Sequence, residues 1–202
     1  MSNNTRVPQQ KRSIEKKEAI VSASYKLFLK EGFGKTSIND ISRQTNLSVG
    51  TIYAYFSNKE DILLAVLYSF GNKLIDGICS ELKRVNSKND LNTILENILD
   101  LIAKSHVELT KKFHDECMAL SYIDPEIKGY FINVQNKMAF EINHVLKKSG
   151  YKFSYPNEQI FICFNILNGL NDVIAFKNRD DLNIEIAKHQ AIETIKQMLV
   201  AV

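Results

Sequence analysis

From Ser57 the chain reads "SNKEDILLAVLYSFGNKLIDGICSEL", and Ile62, Leu63, Val66, Leu67, Phe70, Leu74, Ile75, Ile78 and Leu82 keep helical period throughout. Ser57 as N-cap with Glu60 three residues on forms a capping box at its start. The helix this predicts runs to about Arg84, a rod of about 38 Å at 1.5 Å per residue. Such a rod is expected to connect two halves of the chain.

The segments before and after it have the same character. Only 8 Gly and 3 Pro interrupt 202 residues that are 45% apolar and 24% charged, which fits a globular, helix-rich chain. Residues 1–12 are polar and without period and are expected to form a disordered basic tail. Ile20, Ala23, Leu27 and Phe28 then mark one face of a first helix from about Ser13, with Gly32 suited to close it. Ser37 and Asp40 resemble a capping box for a short second helix ending by Asn46, and Leu47 and Ser48 open a third that runs to Phe56. Beyond Asp90, helices are predicted at about 91–104, 107–121, 125–148, 157–177 and 183–200, with the break before the first at "NSKND" and the 125–148 helix bounded by Asp124–Pro125 and Gly150. No segment reads as a strand, so the fold class is all-α.

Charge is divided unevenly. Residues 1–60 carry 10 Lys/Arg against 5 Asp/Glu, a net +5, and the remainder carries 16 against 18, a net −2. A basic N-terminal part joined to a near-neutral remainder suggests that the former meets a polyanion. No run of apolar residues approaches the roughly 18 needed to cross a bilayer, and the N-terminus has no apolar leader core, so a cytoplasmic protein without membrane contact is expected. Cys79, Cys117 and Cys163 lie far apart in apolar surroundings and suit reduced core thiols.

The third segment, "NLSVGTIYAYF", is unusual for an ordinary core helix. Ile52 and Phe56 share a core-facing side, whereas Gly50, Thr51 and Ala54 make a side of small residues that a major-groove floor could approach closely. Tyr53 and Tyr55 flank that side, where a phenol hydroxyl can donate to phosphate oxygen, although Tyr53 can equally pack against the first helix. Two short helices joined by "TNLS" match the helix-turn-helix plan.

"TSINDISRQTNLSVGTIYAYFSNKEDIL" resembles the DNA-binding segment of TetR-type transcriptional regulators, with Gly50, Thr51, Tyr53, Tyr55, Phe56, Lys59 and Glu60 in register from a match spanning Ser13 to about Leu67. The departures are Asn46 where the turn usually has Gly, and Ser42 and Thr45 in place of alanines. The resemblance implies that Val49, Gly50, Thr51 and Ala54 face base edges and that Ser48 is among the DNA-binding residues. It implies that Tyr53, Tyr55 and Lys59 hold phosphates and that Thr36 or Ser37 holds another. It divides the chain into a helix-turn-helix domain at 13–58, a connecting helix at 59–84 and an effector-binding, dimerising domain at 85–202. The function implied is a homodimeric repressor of an operator on double-stranded DNA, released by a small-molecule effector.

The C-terminal sequence supports that division. "NEQIFICFNILNGLNDVIAF" is apolar nearly all round, so it is expected to pack against its own bundle and a second subunit, beside a last-helix stripe of Ile184, Ala187, Ala191, Ile195 and Leu199. Phe70, Phe113, Met118, Tyr122, Phe131, Met138 and Phe164 are the candidates to line an effector pocket for an apolar or amphipathic compound. Asn165 and Asn168, with Asp172, would be its polar groups or an interface strip. No catalytic, cofactor or metal motif is present, so no enzyme, cofactor or metal is expected. The competing reading is a helical small-molecule-binding module or a helical enzyme without an operator.

Overall fold

A computed structural model describes residues 6–84, 91–107, 109–148, 155–176 and 179–200. Among these are nine helices and no strand: α1 (Arg6–Glu31), α2 (Ile38–Thr45), α3 (Val49–Tyr53), α4 (Lys59–Leu82), α5 (Leu91–Val107), α6 (Lys111–Ile123), α7 (Pro125–Lys148), α8 (Pro156–Phe176) and α9 (Ile184–Val200). Residues 1–5 of the expected tail, the predicted break at 86–90 and Gly150 lie outside the described residues.

Three expectations shift at helix starts, one of them at α6, which begins at Lys111 and not at 107 because α5 runs on to Val107. Helix α1 begins at Arg6, so most of the predicted tail is helical; Gln9, Gln10, Lys11 and Arg12 are good helix formers that extend a helix without an apolar period, and Pro8 lies in the first turn, where its missing N–H costs nothing. Helix α4 starts at Lys59, one residue later than the Ser57 box implies. The cap is Asn58, whose Oδ1 accepts from the Asp61 N–H at 2.7 Å, while the Asp61 carboxylate accepts from the Ser57 N–H at 2.8 Å. Asp61 therefore takes the place that Glu60 was expected to fill.

The chain forms two compact units, Met1–Phe70 with Lys112–Ile127 and Gly71–Lys111 with Lys128–Val202. The predicted boundaries at 58/59 and 84/85 missed that α6 belongs with the N-terminal helices. In this first unit Ile20, Phe28, Ile41, Ile52, Ile62 and Leu63 are fully buried, and Phe113 of α6 packs on Phe28 with ring centroids 5.8 Å apart. In the second, Leu91, Leu95 and Leu99 of α5 pack with Cys163 and Leu167 of α8 and with Ile192, Ile195 and Leu199 of α9. Tyr130 of α7 is buried with its hydroxyl set against Gly71 of α4, 1.9 Å from where a Cβ would stand, so this approach requires glycine.

Burial also corrects the readings of the last helices. Leu167 and the Ile195–Leu199 part of the α9 stripe face their own core. Only 22% of Asn157–Phe176 is buried, and Phe161 and Ile162 are exposed on its outer side. This stretch and Lys59–Glu81 are both long and apolar enough to cross a membrane, contrary to the expectation from apolar runs, because their charges lie mostly toward the ends, with only Lys73 and Asp76 between Ile62 and Cys79.

Candidate nucleic-acid interface

Helix α2 is fixed at its start by a reciprocal cap: the Ser37 side chain accepts from the Asp40 N–H at 3.2 Å, and the Asp40 carboxylate accepts from the Ser37 N–H at 2.8 Å and its hydroxyl at 2.6 Å. The Ser37 hydroxyl, then its N–H and the Arg43 guanidinium hold the Asp40 carboxyl down at about 2. At the other end Asn46 adopts φ 55°, ψ 26°, the left-handed conformation that Asn tolerates better than most side chains. Ser42 and Thr45 lace the turn that follows, with Ser42 Oγ donating to the Leu47 carbonyl at 2.6 Å and Thr45 Oγ1 to that of Ile41 at 2.8 Å. Larger, unpaired side chains there would have changed the helix crossing; these two instead satisfy backbone groups of the turn.

Helix α3 is capped by Ser48, whose Oγ accepts from the Thr51 N–H at 3.1 Å and shares a hydrogen bond with the Thr51 hydroxyl at 2.8 Å. One proton of that hydroxyl pair stays available to an outside acceptor. The helix is shorter than expected, ending at Tyr53, and a turn continues to Phe56, whose N–H donates to the Ile52 carbonyl at 3.0 Å. Ile52 and Phe56 are buried as predicted, which turns Gly50 and Ala54 outward to full exposure and leaves Val49 and Thr51 half-exposed. Tyr53 is 52% exposed and Tyr55 half-buried. A Cβ at Gly50 would meet only Ser48 Oγ, at 4.0 Å. Glycine in a helix costs about 0.5–1 kcal/mol relative to alanine, so nothing inside the protein explains its presence here.

Two expected phosphate ligands are placed otherwise. Thr36 is 3% exposed and its hydroxyl donates to the Gly32 carbonyl at 2.8 Å, which otherwise accepts only a long, shared bond from the Thr36 N–H at 3.3 Å among the described residues. The Lys59 ammonium donates to the carbonyls of Phe33 at 2.8 Å and Thr36 at 2.9 Å, and sits 4.2 Å from the Phe33 ring centroid. Lys59 thus braces the loop before α2, with one ammonium proton left over. From the other side the Glu116 carboxylate of α6 accepts from the N–H groups of Phe33 at 2.5 Å and Gly34 at 3.4 Å, and Lys112 donates to the Glu31 carbonyl. Glu116 is a residue that sequence reasoning missed: its partners lie more than 80 positions away and no local pattern announces them.

The residues proposed for an effector pocket do not gather in one unit. Phe70, whose ring lies 6.3 Å from that of Tyr25, belongs to the N-terminal unit with Phe113, Met118 and Tyr122, the last 80% exposed. Phe131, Met138, Phe164, Asn165 and Asn168 belong to the second unit, with Met138 buried. Asn165 is exposed and back-bonds to the Phe161 carbonyl at 2.7 Å, and Asn168 is half-buried, which places them on the outer strip of α8. Sequence reasoning passed over Asn171. It is fully buried, its amide donates to the Leu167 carbonyl at 2.8 Å, and its Oδ1 accepts from nothing among the described residues.

A capped helix, a left-handed turn and a second short helix with a small-residue face define a helix-turn-helix protein. Residues 20–66 match the family model of the bacterial regulatory proteins of the tetR family, and this segment belongs to that family. An HTH-type transcriptional regulator of Bacillus subtilis, YuxN, is 31% identical over 91 residues, covering 43% of this chain and 31% of that protein. The fatty acid metabolism regulator protein of the same organism is 28% identical over 88 residues, 43% of this chain and 45% of that one. The chain thus spans less than half the length of the first curated relatives it matches. Across nearly the whole chain the fold resembles a TetR-family transcriptional regulator from Mesorhizobium loti, with a TM-score of 0.73, 17% identity and coverage of 94% of this chain and 98% of that one. A class 1 fructose-1,6-bisphosphatase of Campylobacter jejuni is also 32% identical over 123 residues, covering 56% of this chain and 43% of that enzyme.

Proposed function

We propose that this chain is a homodimeric transcriptional regulator that represses by binding a near-palindromic operator and releases it when a small molecule binds the second unit. The observation that carries the DNA reading is Gly50 on the exposed small-residue face of α3, a helical glycine where a Cβ would reach only Ser48 Oγ. Its lack of a side chain serves something that approaches from outside, and Ala54 and Thr51 beside it are also small. Val49, the Ser48–Thr51 hydroxyl pair and Ala54 face base edges in the major groove, while Tyr53 and Tyr55 hold the flanking phosphates. Lys59 and Thr36 act one step back by fixing the loop that presents α2.

Dimerisation is supported by the outer side of α8, where Phe161 and Ile162 are exposed on a helix only 22% buried. The same face carries Asn165 and, half-buried beside it, Asn168 and Asp172. Lipid would have to take in polar amides and a carboxylate, whereas the face of a second copy can be polar where they are, so a protein partner fits better than a bilayer. Two recognition helices in such a dimer must sit about 34–36 Å apart to enter successive grooves. The effector is apolar or amphipathic, and Asn171 Oδ1, a buried acceptor without a donor, is the best-placed group to receive its hydrogen bond. By favouring a mis-spaced dimer by a few kcal/mol, effector ends operator binding without touching DNA.

The test is selection of bound duplexes from a random pool by the purified protein. Enrichment of an inverted repeat supports the reading, and a pool that stays random after repeated rounds, with folded dimeric protein, rejects it. Addition of a panel of amphipathic compounds to the selected complex then identifies the effector by release of DNA together with a raised melting temperature.

A further inference from the structure

Helix α1 is longer than its unit needs. Ile20, Ala23, Ser24 and Phe28 bury its C-terminal half, yet every residue from Lys11 to Ala19 is exposed. Side chains three and four apart share a face of a helix, so the line of Ile20, Ala23, Ser24 and Leu27 continues N-terminally through Lys16 and Lys17 to Arg12. The face that is apolar where it meets the domain becomes basic where it overhangs. The opposite line, Lys11, Glu15, Glu18 and Ser22, is mixed in sign and faces outward along the whole helix. An overhang that merely needed solubility would have its charge distributed without regard to face. The Lys17 ammonium lies 5.5 Å from the ring of Phe56, the residue that ends the α3 turn, so the basic face begins beside the residues proposed to meet DNA.

We propose that the N-terminal half of α1 is a second DNA-contacting element, which lays Arg12, Lys16 and Lys17 along the phosphate backbone outside the half-site read by α3. This rests on the operator-binding reading and adds a flanking contact to it. Phosphate contacts of this kind carry no sequence information; they lengthen the footprint and steepen the dependence on salt. Apart from Lys17 on Phe56, the exposed turns from Lys11 to Ala19 would gain their contacts in the complex.

The experiment compares Lys16→Gln on the basic face with Lys11→Gln on the opposite one, two variants of equal charge change in a part of the helix that no core residue depends on. Each is titrated with salt against the duplex selected by the wild-type protein, against that duplex trimmed to its half-sites, and against a scrambled duplex of full length. Circular dichroism confirms helicity. Lys16→Gln is expected to weaken binding to both full-length duplexes and to lower the salt slope by about one unit per arm engaged, while Lys11→Gln leaves both unchanged. On the trimmed duplex the Lys16→Gln variant and the wild type are expected to coincide. Equal losses for the two variants, or none for either, overturn the flanking contact while leaving operator binding intact. Failure of the wild type to bind any duplex overturns both.

Discussion

The α2–turn–α3 segment and helix α8 are both helical, but different forces hold them. In the first, short polar side chains within a few residues bond to backbone groups at the helix ends and the turn: Ser37 with Asp40, Ser42 with Leu47, Thr45 with Ile41, Ser48 with Thr51. Only Ile41 and Ile52 anchor these two helices to the core with full burial. Helix α8 has local pairs of this kind at Gln159, Asn165 and Asn171, but it is held in place chiefly by apolar contacts, which its own unit supplies on the side carrying Ile160, Cys163 and Leu167. A segment of the first kind is finished within its protomer and can present a surface; one of the second kind is left incomplete until something covers it.

The sharpest way to break that contrast is to put the same charge on the two sides of α8. Leu167→Glu places a carboxylate in the apolar cluster of Leu91, Leu99 and Ile195, and about 3–5 kcal/mol of stability is expected to go, enough to unfold the second unit. Phe161→Glu, on a side chain 56% exposed, is expected to leave the protomer folded and to dissociate the dimer. Thermal unfolding combined with sedimentation separates the two. A folded, dimeric Phe161→Glu protein would show that this side of α8 is not the interface.

The same contrast explains what could be read from the sequence. Caps, the left-handed Asn46 and the helical periods depend on residues close in the chain, so the nine helices among the described residues and the small-residue face of α3 were legible, with errors of about a turn or less at Lys59, Tyr53 and Lys111 and of about two turns at the start of α1. The bracing of the 32–36 loop by Lys59 and Glu116 was not legible, since a lysine in a DNA-binding motif reads as a phosphate ligand until its carbonyl partners are seen. Which side of α8 is inward was equally hidden: a helix apolar all round gives no phase, and Leu167 and Phe161 looked alike. The proposed pocket residues were selected by type alone, and type does not say which unit a side chain joins.

Within the first segment, the Lys59 brace and the α3 face should fail differently. Lys59→Met removes two charge-assisted hydrogen bonds to the Phe33 and Thr36 carbonyls, with an expected loss of about 2 kcal/mol in urea unfolding and a parallel loss of binding to all DNA. Ala54→Leu is expected to leave stability unchanged and to weaken the selected operator by about 1–3 kcal/mol for each base that α3 can no longer reach, sparing scrambled duplex. If Lys59→Met keeps full stability and loses only salt slope, the ammonium acts on phosphate and its inward bonds are incidental. If Ala54→Leu loses both duplexes equally, the small-residue face does not read bases.

The smallest effect concerns the cap that starts α2, and it tests whether local polar pairing holds this segment as described. Asp40 titrates at about 2 in the folded chain against an ordinary 3.8, chiefly because the Ser37 hydroxyl donates to its carboxylate, then through the Ser37 N–H and Arg43. A carboxyl whose folded value is lowered stabilises the native state at pH values above its unfolded value and loses that contribution as pH falls through the folded one. The contribution of Asp40 is therefore complete above about pH 4 and gone near pH 2. Other carboxylates titrate in the same window, so the measurement is the difference in urea midpoint between the wild type and Asp40→Asn, followed downward in pH. It should be constant from neutrality to about pH 4 and close to zero by pH 2. Carbon-detected NMR of the Asp40 carboxyl gives the titration directly, and Ser37→Ala, which deletes the hydroxyl donor but keeps the N–H, should move it part of the way back toward 3.8. An Asp40 carboxyl that titrates at its ordinary value in the wild type would mean that the reciprocal cap is not populated, and that α2 is held by the buried Ile41 rather than by its own first turn.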